Sequence, residues 1–169
     1  ATGELYGLGL VDDGATRTAR IYRINPVTGA ATVVSATPWT TNFPDTDFNG
    51  FNFDPITDVI RVTSREGPNF RVNPVSGALI ATDSNLSRTG INGVSYSNND
   101  LFQAGRTLYG LDFNNDQWVT IGGLNGAPSP NGGVVSVIGS TGIVANDAYG
   151  LEIIAANGVT TGVVGNDSR

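Results

Sequence analysis

Four side chains are missing from this sequence: it has no cysteine, no histidine, no methionine and no lysine. Without cysteine there is no disulfide, no thiolate nucleophile and no cysteine-ligated zinc or iron–sulfur site. Without histidine the usual general acid–base and the commonest transition-metal ligand are gone. Without lysine there is no Schiff base and no Lys–Asn isopeptide staple, since all nine basic residues are arginine. Catalysis would have to run on Ser, Thr, Tyr, Asp, Glu and Arg. A glycosidase needs only two facing carboxylates, yet Glu4, Glu66 and Glu152 are the only glutamates and no spacing pairs them. The expectation is a protein that is not an enzyme.

Charge is also scarce, at 14% of residues against ~25% in an average soluble domain. The net charge is −6 and the isoelectric point about 4.3, the wrong sign for nucleic acid or an anionic membrane surface. No run approaches the ~18 apolar residues needed for a spanning helix. Thr, Ser, Asn and Gly fill the surface instead, and the chain starts at Ala1 without an initiator Met. A removed signal peptide or an excised fragment would account for that start, and the expected address is extracellular.

What is present is β structure. Short runs rich in β-branched and aromatic residues recur between Gly, Pro and Asn-Gly signals, without a sustained helical period. The predicted strands are Glu4–Val11, Arg20–Ile24, Ala31–Ser35, Gly50–Phe53, Asp58–Ser64, Asn69–Val72 and Ala78–Ala81, then Ile91–Tyr96, Thr107–Phe113, Gln117–Gly122, Val134–Ile138, Ala148–Ile154 and Val159–Val164. Arg23-Ile24-Asn25-Pro26-Val27-Thr28-Gly29-Ala30 returns 48 residues later as Arg71-Val72-Asn73-Pro74-Val75-Ser76-Gly77-Ala78, identical at six of eight positions. Such an echo marks a reused supersecondary unit. In it, Pro26 and Pro74 preset φ for a type I turn, Asn25 and Asn73 cap the turn, and Gly29 and Gly77 take the left-handed position of a bulge. Asp54-Pro55-Ile56-Thr57-Asp58 reads as a relative, and Asn114-Asn115-Asp116 and Asn157-Gly158 as further hairpin turns. Tyr6-Gly7-Leu8, Tyr109-Gly110-Leu111 and Tyr149-Gly150-Leu151 form a second echo, within strands.

Grouping the runs gives two four-strand sets, Gly50 to Ala81 and Ile91 to Ile138, with an incomplete N-terminal set and a C-terminal hairpin. Four-stranded units spaced by ~40–50 residues are the propeller pattern. The fold class is therefore all-β: a single domain over residues 1–169, built as a propeller-like array of antiparallel four-stranded sheets, about three blades, open or completed by a neighbouring subunit.

The stretch from Tyr22 to Glu152 resembles the DUF4394 family. The resemblance is carried by Tyr22 to Ala30, Gly50-Phe51-Asn52-Phe53-Asp54-Pro55, Asp58 to Ser64, Asn69 to Pro74, and Thr107-Leu108-Tyr109-Gly110-Leu111-Asp112. It implies a secreted, propeller-like architecture of unassigned activity, with about five blades in longer members and no catalytic motif to transfer. Against that pattern this chain starts mid-blade and stops early.

Three patterns bear on binding. Asp45-Thr46-Asp47-Phe48-Asn49-Gly50 fits the opening of a calcium loop, with alternating oxygen ligands and a glycine for the sharp turn. Ile56 stands where a bidentate Glu belongs, leaving Asp54 or Asp58 as substitutes; the rival reading is a solvated polar loop. Asp112 to Asp116 is a second oxygen cluster, Asn85 and Asn166 head glycosylation sequons, and Trp39, Phe43 and Trp118 are stacking candidates for a glycan, with core packing as the alternative. The leading expectation is a self-assembling extracellular protein, a filament or surface-layer subunit. Residues 149–164, with Tyr149, Leu151, Ile153, Val159 and Val163 at the contact, are expected to complete the N-terminal sheet of a second copy. A secreted binding module for glycan or calcium is the alternative, and a carboxylate- or calcium-dependent hydrolase using Asp47 or Asp54 is a third.

Overall fold

The computed structural model describes residues 4–12, 16–41, 43, 49–97, 105–142, 144, 150–156 and 159–164, with the side chains of Asn49 and of residues from 155 onward left aside. These residues form strands β1 (Leu5–Asp12), β2 (Arg17–Ile24), β3 (Ala31–Val33), β4 (Trp39–Thr41), β5 (Asn49–Asp54), β6 (Val59–Ser64) and β7 (Asn69–Val72). They continue as β8 (Leu79–Thr82), β9 (Ile91–Tyr96), β10 (Leu108–Asp112), β11 (Gln117–Ile121), β12 (Val135–Ser140), β13 (Leu151–Ala156) and β14 (Val159–Val164). Among the described residues the helical content is two 3-10 turns, Leu124–Gly126 and Pro130–Gly132.

The protein is all-β, with three four-stranded antiparallel sheets and a two-stranded hairpin. Sheet 1 contains β1 to β4, sheet 2 runs β5-β6-β7-β8, sheet 3 runs β9-β10-β11-β12, and β13 pairs with β14. Sequence patterning places the two middle sheets with strand ends off by a residue or two. It misses β4, which is three residues long and follows a break at Val34–Pro38. β4 pairs with β2 at Arg17–Ala19 while β3 pairs with β2 at Tyr22–Ile24. The two short strands thus share one edge of β2, and sheet 1 stays three strands wide despite its fourth strand.

Alternation along each strand sends side chains to opposite faces, and the sheets stack through those faces in chain order. Tyr6, Leu8, Leu10, Ala19, Ile21 and Trp39 of sheet 1 pack on Phe51, Phe53, Ile60, Val62, Phe70 and Val72 of sheet 2. Val94, Tyr96, Leu108, Val119 and Ile121 of sheet 3 form the next core layer, and Leu111 meets Leu151 and Ile153 of the hairpin in the last. Tyr6 meets Phe53 edge-on at 5.2 Å and Trp39 meets Phe70 at 5.4 Å, pairs that add ~1 kcal/mol each beyond their area. The serial stacking is compatible with a propeller-like array.

The echoed turns have one geometry. Asn25 Oδ1 accepts the N–H groups of Val27 (2.9 Å) and Thr28 (3.1 Å), and Asn73 Oδ1 those of Val75 (2.8 Å) and Ser76 (3.0 Å). The loop is one residue longer than a type I turn with a bulge. The Gly29 N–H closes on the Asn25 carbonyl and the Gly77 N–H on that of Asn73, with φ of +72° and +65° at the glycines. Asp54 caps Ile56 and Thr57 in the same manner, and Asp58 takes the left-handed position at φ +52°. A tighter relative is Ser129-Pro130-Asn131-Gly132-Gly133 before β12: Ser129 Oγ accepts from the Asn131 N–H, Gly133 has φ +68°, and the Gly133 N–H closes on the Pro130 carbonyl.

These turns fix the role of each strand. The Asn-Pro turn joins β2 to β3 as it joins β7 to β8, and Tyr-Gly-Leu begins β1 as it does β10. Sheet 1 therefore holds second, third and fourth strands, without a counterpart of β5 or β9 among the described residues. The Tyr149-Gly150-Leu151 echo belongs to a different role, because β13 is a first strand. The Tyr96 N–H donates to Asn52 Oδ1 (3.0 Å) between β9 and β5, and the Ile153 N–H donates to Ser95 Oγ (3.1 Å) between β13 and β9.

The glycines of the repeated turns differ in surroundings. A Cβ on Gly77 would overlap Ser35, between β3 and β4, and one on Gly133 would overlap the Asn85 carbonyl, beyond β8, whereas one on Gly29 meets nothing within 4 Å. Gly29→Ala should cost about 1 kcal/mol, the left-handed backbone alone. Gly77→Ala should cost roughly 2–4 kcal/mol, since overlap with Ser35 adds to the same strain. Urea unfolding of the two variants tests the order, and equal losses would contradict the packing role of Gly77.

Candidate functional site

Buried polar groups concentrate between sheets 2 and 3. Arg61 of β6 is 2% exposed, and a buried guanidinium is tolerated only when its donors are answered. Its Nε donates to Tyr96 Oη of β9 (2.8 Å), Nη2 to Asn131 Oδ1 (2.6 Å), and Nη1 to Asn69 Oδ1 (2.6 Å) and Asp83 Oδ2 (3.1 Å). Asp83 also takes a two-point bond from Arg71, at 2.8 Å on each oxygen. This holds the Arg71 guanidinium above its ordinary pKa. Asn69 in turn donates to the carbonyls of Pro130 and Ser84. Burial raises the pKa of the Tyr96 hydroxyl, against the pull of Arg61. The cluster is closed on itself and ties sheet 2 to the turn before β12.

A second tie lies at the β5–β6 turn. Arg106, just before β10, donates Nε to Asp54 Oδ1 (2.9 Å) and Nη2 to Oδ2 (2.7 Å). Burial pushes the Asp54 carboxyl up, but Arg106, Ile56 and Thr57 more than reverse this and hold it below its ordinary 3.8. Asp54 was expected among calcium ligands. Instead, both its oxygens are engaged by Arg106, and one also caps its own turn. Asp45 and Asp47 lie outside the described residues, as does the side chain of Asn49 at the start of β5. No cluster of acidic ligands occurs among the described residues.

The second oxygen cluster is similarly committed. Asp112 accepts from Asn115 and pairs with Arg88 at 3.0 Å, its side chain fully buried. Beside it an open depression of about 390 Å³ is lined by Leu86, Ser87, Arg88, Thr89, Asn114 and Asn115. The sequon Asn85 is exposed next to it, and Asn166 is outside the described residues. Of the stacking candidates, Trp39 and Phe43 are core residues around Phe70, and Trp118 is half-buried against the Leu111 layer. Sequence could not separate these roles, because an aromatic in a strand reads alike on either face.

The expected contact residues divide. Leu151 and Ile153 are not presented to a second copy; they are buried against Leu111 of their own chain, since β13 is paired with β14 and packed on sheet 3. Tyr149 lies outside the described residues, and Val159 and Val163 are placed on β14 by backbone alone. What the ends do offer is strand edge. Among the described residues β1 pairs only with β2, and β14 only with β13. The family described as a domain of unknown function, DUF4394, matches residues 1–168. The chain belongs to the DUF4394 family. No curated protein matches it. In this DUF4394 chain the Arg61, Asp54 and Asp112 groups are answered from within the chain, and among the described residues sheet 1 and the terminal hairpin are the two strand sets short of four side-by-side strands.

The Asp54–Arg106 pair carries a pH signature. A folded-state pKa below the unfolded value of 3.8 gives a contribution fully present above about pH 4 and lost as the pH falls through the folded-state value. Asp54→Asn should flatten the acid limb of the stability curve, read by thermal unfolding from neutral pH down to about pH 3; an unchanged limb would remove Asp54 from that role. Arg106→Ala at neutral pH should cost roughly 2–4 kcal/mol, because a carboxylate only 4% exposed loses its cation.

Proposed function

We propose that this protein is a non-enzymatic extracellular structural subunit that assembles with its own kind, into a filament or surface layer, by β-strand complementation. The observation that carries the reading is that, among the described residues, the strand sets at the two ends of the stack are incomplete, sheet 1 lacking a first strand and the hairpin lacking a third and fourth, with β1 and β14 each paired on one edge. At one end is the eight-residue β1; at the other, the six-residue β14. An edge strand is a row of unmet N–H and C=O groups and a template for pairing. Lysine, a common edge blocker, is absent from the chain. When β14 of one copy lies beside β1 of the next, the contact joins two different surfaces and repeats without closing. In this reading the sheets are blades of a propeller-like array of about three, left open and continued from copy to copy.

Electron microscopy of the purified chain should show filaments or sheets, and a chain ending at Ala148 should remain a folded monomer by circular dichroism and sedimentation. Filaments formed equally by the shortened chain would refute complementation by the hairpin.

A further inference from the structure

We propose that the outer face of sheet 1 is a docking surface for sheet 3 of a second copy, centred on Trp118; this rests on the complementation reading and adds a face to its edge. Gly7, Gly9, Tyr22 and Ile24 share that face, since a Cβ on Gly9 would meet the Tyr22 ring and one on Gly7 would meet Ile24 Cδ1 at 3.0 Å. Leu5 lies opposite Ile24 and Val33 opposite Tyr22 in the ladders. The face is open and apolar at this end, with Leu5 49% and Val33 39% exposed; Arg20, opposite Gly9, and Thr18, opposite Val11, share it further along the ladder.

The molecule itself shows what covers such a face. By strand role Leu5 corresponds to Leu108, Tyr22 to Phe70 and Ile24 to Val72, and these counterparts are 0%, 2% and 0% exposed. Phe70 and Val72 are covered by the preceding sheet of the array. The turns agree: Pro74 and Gly77, and Pro130 and Gly133, are buried, whereas Pro26 and Gly29 are exposed. Sheet 1 is thus built as a sheet with a predecessor.

A second copy supplies one. With its β14 beside β1, its hairpin continues the plane of sheet 1, and its sheet 3 already rests on that hairpin through Leu111, Leu151 and Ile153. The hairpin accounts for the first two strand positions, so the third strand of sheet 3, β11, falls over β1. Its Trp118 points to the Leu111 side, half-buried, and is the residue brought to Leu5.

The test uses the full chain with Leu5→Glu and Val33→Glu, substitutions on exposed side chains, alongside Val33→Arg alone. Sedimentation velocity and electron microscopy should show loss of assembly with an unchanged unfolding midpoint. Because the chain has no cysteine, a mixture of Leu5→Cys and Trp118→Cys chains under a short bis-maleimide should yield a cross-linked dimer of one of each. Face variants that assemble like the parent chain, or no mixed cross-link in assembled material, would overturn the face while leaving strand complementation standing. A parent chain that is monomeric at every concentration would overturn complementation and the face together. A link formed within a single Leu5→Cys, Trp118→Cys double variant would overturn the face in favour of ring closure.

Discussion

A sheet whose two faces are both built for burial needs a neighbour on each side, and that constraint organises this molecule. Sheet 2 meets it with sheet 1 on one face and sheet 3 on the other. Sheet 3 meets it on one face fully, and on the other only across the width of a two-stranded hairpin. Sheet 1 has a neighbour on one face alone. The same side chain in the same strand role is therefore interior at one place and surface at another, as Leu108 and Leu5 show. The difference lies in the neighbour, since the local sequence and backbone are shared.

The two full interfaces solve the problem with different chemistry. Between sheets 1 and 2 the contact is aromatic and aliphatic, around Phe70, Trp39 and Phe43. Between sheets 2 and 3 the apolar face of sheet 3 meets a face carrying Arg61, Asn69 and Asn52, whose polar atoms are met by Tyr96, Asn131 and the backbone. A buried guanidinium adds little net stability over an apolar filler, but it penalises any arrangement that leaves a donor unmet. Arg61 and the Asp54–Arg106 pair thereby fix which sheet follows which, and in what alignment. Apolar contact alone is more tolerant of sliding.

What sequence showed and what it hid follows from range. The Asn-Pro turns were legible because Asn25, Pro26 and Gly29 act on their own backbone within five residues. The middle sheets were legible because their strands are separated by such turns. β4 was hidden by its brevity, and the turn at Ser129 by its substituted side chains, although it keeps the proline, the side-chain cap and the left-handed glycine. The role of Asp54 was hidden for a different reason. An Asp-rich loop suits a cation, and the cation that answers Asp54 is a guanidinium 52 residues further along the chain. Nothing local announces that pairing, nor the four partners of Arg61. The buried position of Leu151 and Ile153 likewise depended on β13 having a partner strand and a sheet beneath it.

The proposed joint differs from the seams inside the chain. Sheet 1 holds strand roles two to four and the hairpin roles one and two, so the composite sheet would have one strand more than sheets 2 and 3. The outer face of sheet 1 carries Arg20 opposite Gly9, amid glycine, leucine, isoleucine and an aromatic ring, in place of a buried cluster like that around Arg61. Alignment at the joint must then come from the backbone ladder between β14 and β1, where a slip of one residue turns Leu5, Gly7 and Gly9 to the wrong side. The two close-packed glycines sharpen that penalty, since side chains placed where Gly7 and Gly9 sit would strike Ile24 and Tyr22. Register between copies is thus set by the same alternation that sets it within a sheet, without a charged pair to enforce it.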